Sequence, residues 1–225
     1  MMLLLTNDDG IDAPGLQALS AAVGQRGVIV APIEHQSGCS HQVTTGKPIR
    51  VEQRGADRYA IAGMPADCVR VGLTHLYPET SLVLSGINAG GNLGSDVYLS
   101  GTVAAVREAA LLGVPGIAIS HYRQGGREFN WDWATRMAMR VLEELQERSL
   151  PPRSFWNVNF PHPLSSEEIP ELTFCPPCTQ PLPVSYRIEN DKYHYTGRYS
   201  DRLRDADADV DVCFSGRIAI SLVQF

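Results

Sequence analysis

Short apolar runs alternate with helix-period stretches through the first 160 residues, and that alternation leaves few folds open to the chain. Apolar runs at residues 2–5, 28–31, 81–84, 116–120 and 155–160 are each bounded by turn formers. Continuous runs of this length read as strands buried on both faces. Between them, Pro14-Gly15 opens a stretch with Leu16, Leu19 and Val23 at helical spacing, and Gly63-Met64-Pro65-Ala66-Asp67 opens one through Val69 and Leu73. A third follows Ser100-Gly101-Thr102 with Val103, Val106 and Ala110 and stops at Gly113-Val114-Pro115; a fourth covers 131–148. Strand, helix, strand in repetition predicts βαβ units, hence an α/β fold with a mostly parallel sheet flanked by helices. Residues 44–51 and 58–61 read as a hairpin excursion from it.

Composition narrows the function classes. The 225-residue chain has room for one large domain or a domain with an appended arm. Its formal net charge is -6 and no Lys/Arg block occurs, which argues against a nucleic-acid duplex as partner. No apolar stretch reaches the length of a membrane span, and the chain opens on a strand without a basic leader, so a cytoplasmic protein with no membrane partner is expected. Cys175-Pro-Pro-Cys178 has redox or zinc spacing, but no second pair completes a metal site, and a structural role is the simpler expectation. Past Pro161 prolines cluster, a polar and aromatic stretch runs over 186–199, and an acidic run over 205–211 precedes a closing strand at 217–223. We therefore expect a core over 1–160 and, over 161–225, a C-terminal arm or hairpin and closing strand that do not fold as an independent domain.

The chemistry gathers after the strands. Ligands of open parallel sheets bind beyond the strands' carboxyl ends, and Asp8-Asp9 follow the first strand directly. Adjacent carboxylates repel unless a cation or a shared proton lies between them; otherwise they form a plain Asp-Asp-Gly turn facing solvent. Ser37, Ser40 and His41 follow the second strand, and Asn88 and Asn92 lie in the glycine-rich stretch after the 81–84 run. Carboxylate, hydroxyl and amide oxygens suit Mg²⁺ or Mn²⁺ better than zinc. Ser100-Gly101-Thr102 starts a helix, where free amides and the dipole favour phosphate, although an ordinary N-cap has the same composition. Neither a P-loop nor a GxGxxG fingerprint is present. His35 and His41 are candidates for acid–base work. Cys39 is set aside as a nucleophile, because nothing in the sequence activates it.

These blocks, in this order, resemble the SurE family of metal-dependent nucleotidases. The resemblance is carried by Thr6-Asn7-Asp8-Asp9-Gly10, Ala31-Pro32 with Ser37-Gly38, Gly63-Met64-Pro65-Ala66-Asp67-Cys68-Val69, Ser85-Gly86-Ile87-Asn88 and Ser100-Gly101-Thr102-Val103. It is dense over residues 1–120 and looser through Asn157-Val158-Asn159 and the closing strand. It implies a Rossmann-like core, a C-terminal arm exchanged in a homodimer or homotetramer, and hydrolysis of nucleoside monophosphates, with short polyphosphate as a further substrate. One divalent ion per subunit, Mg²⁺ or Mn²⁺, would be held by Asp8, Asp9, Ser37 and Asn88. The catalytic pair would be Asp8 and Asp9, with phosphate on Asn92, Ser100, Gly101 and Thr102. Two departures stand out: Met64 occupies a position that is usually Thr or Ser, and Gly91 one that is usually proline.

Three other functions fit parts of the pattern. One is a phosphatase for polyphosphate or a sugar phosphate. Another is a nucleotide-binding sensor that clamps without turnover, and the last is an interaction protein working through its proline-rich tail. Base recognition would draw on Tyr98, His121 or the aromatic arm near Tyr193 and Tyr195.

Overall fold

A computed structural model describes residues 2–224. A nine-stranded sheet runs through it in the order β3-β4-β2-β1-β5-β6-β7-β11-β8. Strands β1 (Leu3–Thr6), β2 (Val28–Pro32), β4 (Arg58–Ile61), β5 (Leu82–Ala89), β6 (Gly116–His121) and β7 (Ser154–Phe160) are mutually parallel. Only β3 (Val51–Gly55) and the pair β8 (Leu172–Phe174) and β11 (Ile218–Gln224) run against them. Every residue of β6 and β7 is buried, as central parallel strands covered on both faces require.

Helices cover the two faces in pairs. On one side α1 (Pro14–Ala22) and α4 (Trp131–Gln146) bury Leu16, Leu19, Trp133, Met137 and Val141 against Leu5, Leu84 and Ile119. On the other, α2 (Pro65–Val71) and α3 (Gly101–Leu111) bury Cys68, Val69, Val103 and Val106 against Leu4, Val83 and Ala118. Pro14 takes the first turn of α1, where its missing N–H costs nothing. Gly15 beside it is required by contact: a Cβ there would lie 1.9 Å from the Ile87 carbonyl oxygen. The helix therefore rests on the β5 backbone itself.

Three elements differ from the sequence expectation. The hairpin strand predicted over 44–51 lies instead at Val51–Gly55, paired on one side only and mostly exposed. Its polar Glu-Gln-Arg sequence carries no period to mark an edge strand, and the preceding segment is fixed by Thr44, whose N–H and hydroxyl both donate to Asp67. Strand β5 continues five residues past Leu84, through Ser85-Gly86-Ile87-Asn88-Ala89, with a register shift against β6 between Ser85 and Asn88. Fully buried Ile87 holds this glycine-containing stretch in the core. Finally, the acidic run leads into a short helix α5 (Asp209–Phe214), whose Val210, Val212 and Cys213 form a third apolar cluster with Leu93 and Cys178. Strands β9 (Tyr186–Glu189) and β10 (Lys192–Tyr195) form a separate two-stranded hairpin, every residue of it exposed. No helix of the described residues is long and apolar enough to cross a membrane. All five cysteines are free.

Candidate active site

The carboxyl ends of β1, β2 and β5 and the start of α3 meet at one edge of the sheet. Asn7 locks the turn after β1, its Nδ2 donating to the Gly10 carbonyl at 2.8 Å. Asp8 is 5% exposed, with one carboxylate oxygen accepting the Thr102 hydroxyl. Burial pushes its carboxyl up to about 6; the Thr102 bond opposes this, and the neighbouring Asp9 charge adds to it. Asp9 points elsewhere, one oxygen 3.2 Å from His35 Nδ1 and the other accepting the Ala89 N–H at 3.2 Å. Among the described residues neither aspartate forms an ion pair with a Lys or Arg. Two adjacent carboxylates thus sit together without a Lys or Arg partner, and in Asp8 burial, with a smaller contribution from the Asp9 charge, raises the pKa.

Three elements close around the pair. The β2 loop is tied in by the Gln36 N–H, which donates to the Asp8 carbonyl at 2.7 Å, so Ser37 follows one residue beyond an anchored position. Asn88, near the end of β5, donates through Nδ2 to the Gly90 carbonyl at 2.8 Å and keeps Oδ1 as an oxygen donor. Helix α3 arrives at Gly101, where a Cβ would sit 2.8 Å from both Asp8 Cβ and Cys39 Sγ. Only glycine allows the helix start to approach this carboxylate so closely. Ser100 caps the helix, its Oγ accepting the Val103 N–H at 3.1 Å.

Asn92 is a buried node. Its backbone N–H donates to Asn159 Oδ1 at 2.7 Å, and its carbonyl accepts from Asn157 and Asn159 Nδ2 at 2.8 and 3.0 Å. One Nδ2 hydrogen goes to Ser120 Oγ at 2.8 Å, which leaves the other for a ligand.

The SurE family model, described as "Survival protein SurE", matches residues 3–182. The chain belongs to the SurE family. A Nostoc sp. protein provisionally named a 5'-nucleotidase is 56% identical over 222 residues, 98% of each chain. The protein named 5'-nucleotidase SurE 1 of Burkholderia lata is 38% identical, over 99% of this chain and 90% of its own. The crystal structure of the SurE protein from Aquifex aeolicus superposes with a TM-score of 0.87 at 29% identity, covering 100% of this chain and 93% of that one.

As a SurE chain it would carry a divalent ion, and its donor set fits one. Two carboxylates without a Lys or Arg partner among the described residues, an asparagine oxygen and a loop serine supply the hard oxygens that such an ion takes. Among the described residues no group of three His, Cys, Asp or Glu side chains is placed to hold a metal ion, so a site here would need other oxygens beside the two carboxylates, such as hydroxyl and amide oxygens.

The structure also separates the remaining candidates. Thr102 spends its hydroxyl on Asp8, so its backbone N–H is the group it could offer to a ligand. His41 pairs with buried Glu108 at 2.8 Å, and Arg70 Nε binds the same carboxylate at 2.6 Å; this fastens the β2 loop to α3. Of the two loop histidines, His35 is the one that meets the aspartate pair, through Asp9. Burial pushes the Cys39 thiol up to about 11, which removes it as a nucleophile. Met64 costs nothing locally: it donates its N–H to Asp67 at 2.9 Å, a backbone bond any residue supplies. A Cβ on Gly91 would meet Tyr122, Tyr199 and Leu93 at ordinary contact distances of 3.5–3.6 Å. His121 is fully buried among Phe129, Trp131, Trp133 and Phe160, while Tyr98, Tyr193 and Tyr195 are exposed.

Sequence reasoning gave too little weight to Asn157 and Asn159. The signal was present: two amides alternate with Trp156, Val158 and Phe160 in a strand that is otherwise apolar.

Proposed function

We propose that this chain is a metal-dependent phosphomonoesterase that hydrolyses nucleoside monophosphates to nucleoside and phosphate. The observation that carries the reading is buried Asp8 beside half-buried Asp9, with no Lys or Arg ion pair to either among the described residues and with Asp8 bonded through Thr102 to the start of α3. A divalent cation bound there supplies Lewis-acid polarisation of a phosphoryl oxygen and an acidified water.

The chain's own residues divide the remaining work. Asp8 and Asp9, with Ser37 and Asn88, would hold the ion, and Thr102 orients the Asp8 carboxylate through its hydroxyl. The free amides of Gly101 and Thr102, the Ser100 hydroxyl and the second Asn92 amide hydrogen take the equatorial phosphoryl oxygens. His35, within reach of Asp9, steadies that carboxylate's orientation. We assign one Mg²⁺ or Mn²⁺ per subunit, short polyphosphate as a secondary substrate, a cytoplasmic setting, and a homodimer or homotetramer built through the β9–β10 arm.

The test is phosphate release from a panel of nucleoside monophosphates and short polyphosphate, using metal-stripped protein with and without added Mg²⁺ or Mn²⁺. Release should require metal and fall about a hundredfold or more in Asp8→Asn, as when a charge-stabilising group is lost. Near-normal turnover by Asp8→Asn would sink the mechanism. Stoichiometric nucleotide retention without release would mean a sensor.

A further inference from the structure

The segment between β5 and α3 carries both Asn92 and the helix start assigned to phosphate, and residues from the far end of the chain grip it. Asp96 lies in the short 3-10 turn Gly94–Tyr98 and is 8% exposed. Its Oδ2 accepts the Leu93 N–H at 3.0 Å, Arg202 Nη1 at 2.9 Å and the Tyr199 hydroxyl. The Arg202 side chain is fully buried, and its Nη2 donates to the Leu93 carbonyl at 3.2 Å and to Ser95 Oγ at 3.4 Å. Below this pair, buried Asp209 accepts the Gly94 N–H at 2.7 Å and the Cys178 N–H at 2.8 Å.

This latch reaches the phosphate groups from both sides. Both backbone polar groups of Leu93, the residue after Asn92, are held by it. On the other flank the Asp96 carbonyl accepts the N–H of Ser100, the α3 cap, at 3.0 Å. A buried ion pair is a poor source of stability, since desolvation offsets most of its attraction, but its charge-assisted bonds impose geometry.

We infer that Arg202, with Asp96 and Tyr199, is a positioning device for phosphate binding, acting through Leu93 and Ser100 while leaving the metal ligands alone. The inference rests on the phosphate assignment made above. The experiment measures KM and kcat for adenosine monophosphate, inhibition by inorganic phosphate, and Mn²⁺ affinity by calorimetry, in Arg202→Met, Arg202→Lys and Tyr199→Phe. Arg202→Met should raise KM and the phosphate inhibition constant about tenfold, with kcat changed less than about threefold and Mn²⁺ affinity within about twofold. Arg202→Lys should recover part of this loss, and Tyr199→Phe should move the same constants about threefold.

Unchanged KM and phosphate inhibition in folded Arg202→Met overturn the inference. So does an equal loss of Mn²⁺ affinity, which would mark a general structural role. If Arg202→Met does not fold, Tyr199→Phe decides by the same readings. Asn92→Ala and Ser100→Ala separate the two claims. If they too leave phosphate inhibition unchanged, the phosphate assignment is wrong; if they weaken it while the latch variants do not, only the latch is wrong.

Discussion

Asp8 is held in a place that suits it poorly as a free carboxylate, and that mismatch makes metal binding and proton binding compete. In the metal-free protein its carboxyl lies near 6, raised by burial. A cation needs it ionised, so below pH 6 each ion bound must expel a proton. We expect Mn²⁺ affinity to fall up to about tenfold per pH unit between pH 6 and 5, with up to one proton released per ion. Calorimetry in buffers of different ionisation enthalpy measures that number; no proton release at pH 5.5 would show that Asp8 is not a ligand. His121 makes stability, too, sensitive to acid. Burial holds its imidazole down at about 4, against 6.5 in the unfolded chain. Between those values the unfolded state binds a proton that the native state refuses, so this stabilisation is complete above pH 6.5 and is lost as pH falls towards 4. At pH 5 the loss should be about 2 kcal/mol, an upper figure. Denaturant unfolding of wild type and His121→Phe at pH 7 and pH 5 isolates it: the variant should lose less stability than wild type, and equal losses would refute the assignment.

The same competition is set up by elements rather than residues at the start of α3, where helix, β1 turn and β2 loop share one small space. Gly101 is the point of contact, with Asp8 Cβ on one side and Cys39 Sγ on the other. Gly101→Ala should destabilise the fold by about 1–3 kcal/mol, as overpacking does. It should also weaken Mn²⁺ binding at least about tenfold, because Asp8 must move and ligand geometry is strict. Adding Cys39→Ala relieves only one side, so the double variant should regain stability and not metal affinity; recovery of both would show that Asp8 had not moved. This convergence was partly legible beforehand. An apolar run followed by Asp8-Asp9 places carboxylates at a parallel sheet's carboxyl edge, and Ser100 before a helical pattern marks a cap. Local pattern cannot show that Thr102 turns its hydroxyl towards Asp8, 94 residues away, or that β5 runs on through Gly86, which buried Ile87 and the pairing with β6 decide. Asn157 and Asn159 were visible as an alternation, but their partner Asn92 lies 65 and 67 residues away.

Across the whole molecule, the C-terminal residues divide into a part that completes the core and a part that leaves it. Strands β8 and β11 extend the sheet, and α5 with Asp209 and Arg202 seals the segment before α3. The Asp209–Gly94 and Arg202–Asp96 links span 115 and 106 residues, which is why no sequence window pointed to them. The β9–β10 hairpin is different: Tyr186, Ile188, Tyr193 and Tyr195 are 54–66% exposed, a large apolar surface for a two-stranded ribbon. Isolated hairpins are marginal in water, and clustered exposed aromatics mark protein–protein contacts. Tyr186 packs edge-on against Tyr193 and Tyr195 within the ribbon, and in the assembly proposed above a second chain would supply the remaining cover, so the arm's stability should be tied to assembly. Replacing Tyr186, Ile188, Tyr193 and Tyr195 with serine should therefore shift the mass seen by light scattering towards the monomer. Thermal unfolding of that monomer should stay cooperative, because none of the four side chains belongs to the apolar clusters of the core. An unchanged mass at micromolar concentration would remove the arm as the assembly element. Retained metal-dependent turnover in the monomer would place every catalytic group within one chain, as the contacts of Asp8, Asn92 and Ser100 within this chain lead us to expect.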